Sequence, residues 1–334
     1  MNQIENRSVK KNTMLGSWID TNLSGVLKQL ARERQALKKM VILIGLLIGV
    51  TGVIVLLFAN SKVPRAFAAI LGFCAIGYSA YRVHSYKNKY KAQVFGKVMQ
   101  ARVPGIQYAP ESYIDEGSFV ASKVCWDNFN RYRGEDLFTG SVDGVPIRFS
   151  ELTVQHEVKK KDRNEVRTVF SGVFYQAEFN KNLSHFTLVR PDASQGVGGV
   201  AGWVISKVND GLQSLSSLPP KVKLEDPRFE AAFDVRGTDQ IEARYCLTAS
   251  FMERLMAVRD KLKEGSISIS FQGRFMSMAI ATSKNRFEPK IFGSQTDEQQ
   301  IREFLEDIEQ FLSIVKTLKL NEHLWTKPSL DKIA

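Results

Sequence analysis

The residues best suited to chemistry lie in one strand-like stretch, where Glu135 and Asp136 adjoin within Arg-Gly-Glu-Asp-Leu. Adjacent carboxylates can hold a divalent cation or divide the duties of acid and base. Neighbours in a strand point to opposite faces, however. The spacing therefore predicts two carboxylates flanking a hairpin and pairing with Arg131 or Arg133. His156 lies near Glu151 and Glu157, a donor mix a metal would accept. Alternation groups His156 with Leu152 and Val154 and sets it opposite Glu157, so a half-buried histidine is expected. His185 and His323 have no companion at ligand spacing, and Cys125 and Cys246 have no nearby histidine to activate them. Both cysteines are expected to be buried thiols. The run Gly196-Val-Gly-Gly-Val-Ala-Gly is similar to a phosphate loop, but it lacks the Lys-Ser/Thr ending and follows no clear strand. On residue types, no catalytic residue, metal ligand or cofactor contact is assigned.

The elements that must position these residues begin with two uncharged apolar runs. Val41–Ala59 is nineteen residues, roughly 28 Å as a helix and close to one bilayer core. Ala66–Tyr81 is sixteen residues and weaker, and the six residues Asn60–Arg65 separate them. The expected product is a transmembrane helical hairpin. Gly45, Gly49 and Gly52 form a small-residue face on the first helix, and Ala68 and Gly72 on the second. Such faces serve either packing within the hairpin or formation of a homo-oligomer. Lys28, Arg32, Arg34, Lys38 and Lys39 precede the hairpin and Arg82, Lys87, Lys89 and Lys91 follow it, whereas the loop holds only Lys62 and Arg65. Both termini are thereby predicted to be cytosolic. Before the first run, Leu15, Trp18, Ile19, Leu23, Val26, Leu27 and Leu30 recur at helical spacing. That pattern fits an amphipathic helix lying on the membrane or packed on a domain or partner.

The net charge of +11 first suggests nucleic acid as a partner. Residues 1–91 carry fourteen Lys/Arg against three Asp/Glu, and residues 92–334 carry thirty-two of each. The excess belongs to the hairpin and its flanks, so the neutral remainder lacks the overall charge of a phosphate-backbone binder. Three cysteines are too few for a disulfide framework, which fits a reduced compartment.

Four regions are expected: a cytosolic N-terminal segment (1–40), the hairpin (41–81), a juxtamembrane helix and linker (82–125) and a cytosolic α+β domain (126–327). The linker helix should stop at Pro104-Gly105. Asp143-Gly144 between alternating runs predicts a two-residue hairpin, and Gln272-Gly273 predicts another. A long strand is expected over Val166–Phe179 after a polar tip that includes Lys159, Lys160, Lys161 and Arg163. That tip reads as solvated, with contact to anionic lipid as the alternative. A short helix is expected through Val200, Val204, Val208 and Leu212, with Trp203 either packed or grazing a bilayer. Helix starts are marked by Asp226-Pro227, by Ser250 with Glu253 and by Thr296 with Gln299. Ile301, Phe304, Leu305, Ile308, Phe311, Leu312, Val315 and Leu318 form a 3.6-period stripe on the last helix. The fold class is α+β, a mixed, largely antiparallel sheet with packed helices.

Several stretches resemble a known family. YRGEDLFTG (132–140), IRFSELTVQHEV (147–158), FSGVFYQAEFNKN (170–182), KLEDPRFEAAF (223–233), DQIEARYCLTASFMERL (239–255) and the FLEDIEQFLSIV helix are similar to the bacterial domain of unknown function 3137. Ala249 stands where that pattern carries Pro. The resemblance spans roughly residues 40–325. It implies two membrane helices before one soluble domain, the bacterial inner membrane as location and a LemA-like membrane protein as partner, with no activity attached. The expectation from the whole chain is a multi-pass membrane protein whose cytosolic domain binds a protein and catalyses nothing. The alternatives are an anionic-lipid-binding module resembling a pleckstrin-homology domain, and a metal-dependent hydrolase using Glu135, Asp136, Glu151 or His156.

Overall fold

The computed structural model describes residues 15–58, 62–159, 164–191, 218–262, 266–283 and 285–320. The expected helix around Trp203, the glycine run at 196–202, residues 160–163 of the polar tip and His323 lie outside the described residues. The chain divides into two compact units, Met1–Arg102 with Phe287–Leu305, and Val103–Arg286 with Glu306–Ala334.

The first unit is helical. Helix α1 (15–22) leads into α2 (Ser24–Phe58), followed by α3 (Lys62–Tyr90), a π-turn (Lys91–Phe95) and α4 (Gly96–Arg102). Leu15, Ile19, Leu23, Leu30 and Leu37 are buried, so the amphipathic stretch before the apolar run packs against protein. Beyond Met40 the same helix changes character. Ile42, Leu43, Leu46, Leu47, Val50 and Val53 are 55–65% exposed. Lys89 at the end of α3 reaches Glu33 near the start of α2 at 2.5 Å, so the two helices run antiparallel.

Among the described residues, one helix, Ser24–Val53, is long and apolar enough to cross a membrane. The expected pair of spans is corrected to one candidate. The apolar run in α3 is short of the roughly twenty residues a bilayer needs, and Tyr78, Ser79 and Tyr81 dilute it. A Cβ built on Gly45, Gly49, Gly52 or Gly72 would meet nothing within 4 Å, so these small residues do not cement α2 to α3.

The π-turn widens the helix by one residue, with the Gly96 N–H donating to the Lys91 carbonyl. It turns Lys91 fully inward, where its Nζ lies 2.8 Å from Glu288; Lys87 reaches the same carboxylate at 2.6 Å. Burial pushes the Glu288 pKa up, but Lys91 and Lys87 outweigh that and hold it below the usual range. Phe95 stacks on Phe304 at 4.0 Å.

The second unit is built on a sheet with six strands among the described residues: β1 (Ile106–Ala109), β2 (Arg131–Val142), β3 (Val145–Lys159), β4 (Asn164–Pro191), β5 (Phe233–Gly237) and β6 (Ile267–Ala281). All pairings are antiparallel, in the order β1-β2-β3-β4-β5, with β6 on the other edge of β4. Asp143-Gly144 makes the expected two-residue turn, both residues having positive φ. Gln272-Gly273 does not. β6 runs straight through it, and Gly273 at φ +58° absorbs a bulge where β4 slips register. A Gly after a polar residue reads locally as a turn, but β4 stays alongside and keeps the strand paired.

Each face of the sheet has its own cover. On one, Leu152, Val154, Phe170, Phe174 and Ala279 pack with Phe119 of α5 (Glu116–Ser122) and Ile114. On the other, Tyr108, Phe138, Phe149, Tyr175 and Met278 are cross-strand neighbours in one row. Ring centroids along this row are 4.6, 4.6 and 5.7 Å apart. Phe311 of the last helix sits 5.3 Å above Phe149. Helix α6 (Pro227–Ala232) directly precedes β5, and α7 (Gln240–Cys246) and α8 (Ala249–Leu262) lie between β5 and β6 in the chain; Asp226 caps α6 as expected. α8 is capped by Thr248, whose hydroxyl accepts from the Phe251 N–H, rather than by Ser250. Ser250 instead accepts from Arg254. Helix α9 (Asp297–Leu318) opens on the expected reciprocal cap between Thr296 and Gln299.

Candidate functional site

Beyond the aromatic row, the sheet face under α9 turns polar. The next cross-strand set is Glu135–Glu151–Val173, and after it Arg133–Thr153–Ser171. A cavity of about 390 Å³ opens over these rows, bordered by Gln155, Ser283 and Asn285. Its floor is backbone at close approach. Gly172 has φ +148°, and a Cβ there would stand 2.1 Å from the Ile280 carbonyl. A Cβ on Gly134 would come within 2.6 Å of the Glu151 carbonyl. Only glycine lets the strands lie this close.

The two adjacent carboxylates do not take opposite faces. Glu135 pairs with Glu151 and Phe138 with Phe149, so Asp136 and Leu137 together face the single residue Ser150. This is a β-bulge, with Asp136 in the left-handed region at φ +59°. It rotates the Asp136 carboxylate onto the face that Glu135 and Glu151 share. One ligand atom from each of the three then lies within 4.8 Å of the others. The expectation of divergent side chains is overturned because alternation fails wherever one strand carries an extra residue.

The bulge is pinned at both ends. The Asp136 N–H donates to the Pro110 carbonyl at 3.0 Å. Its carboxylate, fully buried, accepts from the Tyr108 hydroxyl at 2.5 Å. Glu151 is also buried, and its Oε1 accepts from the Arg286 N–H at 2.8 Å. Arg286 in turn reaches Asp307 at 2.7 Å. Three oxygen donors suit a hard divalent cation. Oxygens sharing a cation at about 2.0–2.6 Å lie nearer 3 Å apart than 4.8 Å, so the carboxylates would have to close inward.

The other residues singled out by type do not join this group. His156 pairs across the ladder with Arg167. His185 Nδ1 lies 3.3 Å from the Glu242 carboxylate, which also accepts from the N–H groups of Ser184 and His185. Arg131 pairs with Glu157 rather than with either carboxylate of the bulge. Cys246 is buried as expected, whereas Cys125 is half-buried, its thiol pushed up to about 11 by burial. Sequence reasoning missed Ser283, Asn285 and Arg286, which no local pattern marks. The Gly-x-Asp of Gly134-Glu135-Asp136 is a signal that could have exposed the bulge, since Gly and Asp inside a strand often mark one.

The family described as "Protein of unknown function (DUF3137)" matches residues 168–320. The DUF3137 match thus starts in β4 and ends after α9, and it includes Gly172, Ser283 and Arg286 but neither Glu135, Asp136 nor Glu151. No curated protein matches the sequence. A solved structure similar to this chain is the mycobacterial trehalose monomycolate transport factor A, TtfA, at 11% identity over 66% of this chain and 92% of that one. Its TM-score of 0.29 is too low to bear on function.

Proposed function

We propose that this chain is a membrane-anchored, non-enzymatic protein whose α+β unit binds a protein partner at the cytosolic surface. The observation that carries the anchor is the change along α2. One face is buried as far as Leu37, whereas the apolar side chains beyond Ile42 are left uncovered. Side chains of 55–65% exposure in such a run are unfavourable in water at about 25 cal/mol per Å² and favourable in lipid. On this reading α3, although its apolar run is shorter than a full span, is drawn into the bilayer beside α2, where a short run is met by local thinning, and there exposes Ile70, Leu71, Phe73 and Ile76. Lys38, Lys39 and Arg82 at the near ends favour cytosolic termini. Support for a binding rather than a catalytic unit comes from the bulge, where two carboxylates are committed to holding Tyr108 and the Arg286 backbone.

Two measurements test the anchor and the partner separately. The full chain should stay with membranes through alkaline carbonate washing, and its release would refute the anchor. Cys74, the exposed cysteine, lies within α3. In sealed vesicles it should resist a water-soluble maleimide until detergent is added. Labelling without detergent would place α3 in water. In-membrane crosslinking should give a stoichiometric heterologous adduct, and a chain that crosslinks to nothing would sink the partner.

A further inference from the structure

The junction of β4 and β5 gathers more positive charge than it neutralises. Arg190 and Asp234 face each other across the ladder. Arg190 donates from Nε and Nη2 to Asp234 Oδ2 at 3.1 and 3.0 Å. Arg236, two residues along, donates from Nε to the same oxygen at 2.9 Å, and from Nη1 to the Pro219 carbonyl at 3.4 Å. Lys221 forms an isolated bridge with Arg236, and its Nζ stands 4.0 Å from Asp234 Oδ1. Three cations therefore surround one carboxylate, and among the described residues no second carboxylate pairs with any of them.

Like charges set directly opposite each other on a sheet, as Lys221 and Arg236 are, repel. Asp234 is largely buried, and its Oδ2 already takes three N–H donors. Its negative charge is spent on aligning the two guanidinium groups. The side chains of Arg190, Arg236 and Lys221 are 31%, 23% and 56% exposed. Among the described residues, Arg190 Nη1 and Arg236 Nη2 take no hydrogen-bond acceptor, and the Lys221 ammonium has only the 4.0 Å approach to Asp234. Guanidinium groups held in a fixed orientation are suited to a tetrahedral oxyanion, whose oxygens take several charge-assisted hydrogen bonds at once.

We infer that Arg190, Arg236 and Lys221, aligned by Asp234, form a binding site for a phosphoryl group, carried by a lipid headgroup or by free phosphate. The site is distinct from the acidic bulge and does not depend on how the chain is anchored.

The test uses the full chain in nonionic detergent, titrated by calorimetry with inorganic phosphate and, separately, with dihexanoyl phosphatidic acid. One equivalent should bind saturably. K221Q and R236Q should each weaken binding by about tenfold, the effect of losing one charge-assisted hydrogen bond. A tenfold preference for the phosphatidic acid assigns the site to a headgroup, and equal affinity assigns it to free phosphate. Absence of saturable binding by either probe would overturn the inference. So would wild-type affinity in K221Q, an exposed position that leaves folding intact.

Discussion

Glu151 offers a direct test of whether the acidic bulge holds the fold together or serves a ligand. It is buried, accepts from the Arg286 N–H at 2.8 Å and lies within 4.8 Å of two further carboxylates. Truncation in E151A leaves that N–H without its acceptor, at about 1–3 kcal/mol. For a unit of this size, a kcal/mol moves the midpoint by roughly 2–4 °C, so at a central loss of about 2 kcal/mol E151A should melt about 4–8 °C lower. E151Q keeps an oxygen for Arg286 and removes one negative charge. Two unit charges at such a distance repel by roughly 3 kcal/mol at an effective dielectric of 20, and water at the half-exposed Glu135 screens that to about 1 kcal/mol. The relief offsets the weaker, uncharged hydrogen bond, so E151Q should melt within about 2 °C of wild type. Differential scanning calorimetry in the presence of a chelator, with and without added Mg²⁺ or Mn²⁺, reads both variants. If E151Q falls as far as E151A, or if either ion raises the wild-type midpoint but not that of E151Q, the charge itself is required and the structural account fails.

Three further outcomes follow from particular contacts. G172A should cost more than about 2 kcal/mol, because its Cβ would strike the Ile280 carbonyl at a φ that side-chain-bearing residues rarely adopt; a urea midpoint unchanged from wild type would contradict the close approach. E288Q strips the buried Lys91 of its carboxylate and should destabilise by about 3 kcal/mol, whereas K91M, which leaves Glu288 its partner Lys87, should cost less; the reverse order in chemical denaturation would refute the pairing. Asp234 and Glu288 are both held below their ordinary carboxylate values against the opposing effect of burial, by Arg236 and Arg190 and by Lys91 and Lys87. Their contribution is therefore complete above about pH 4.5 and lost as the pH falls through the lowered values; a stability that declines between pH 8 and 6 instead would point to other groups.

Elements whose information is periodic or local were legible without coordinates. The α9 stripe is buried at Ile301, Phe304, Ile308, Phe311, Val315 and Leu318. The Asp143-Gly144 turn, the Asp226 cap and the Thr296–Gln299 capping box also lie where their residues place them. Each is settled by contacts within a few residues. The uncovered half of α2 was likewise foreseeable, since nineteen uncharged residues offer no polar face to water.

What the tertiary structure decided was how separate segments meet. Gln272-Gly273 has the chemistry of a turn, yet β4 holds β6 extended through it. Glu135 and Asp136 alternate in sequence, yet the bulge opposite Ser150 turns both toward Glu151. Lys91 looks like one more basic flank residue until a π-turn sets it against Glu288, almost two hundred positions away. The sequence by itself determined the α+β class, the helix stripes, the caps and the apolar run, because backbone propensity and hydrophobic period act over one or two turns. The acidic bulge, the buried lysine and the cationic junction at Asp234 depend on pairing register, which is set by the packing of the whole sheet and can be read from no single segment.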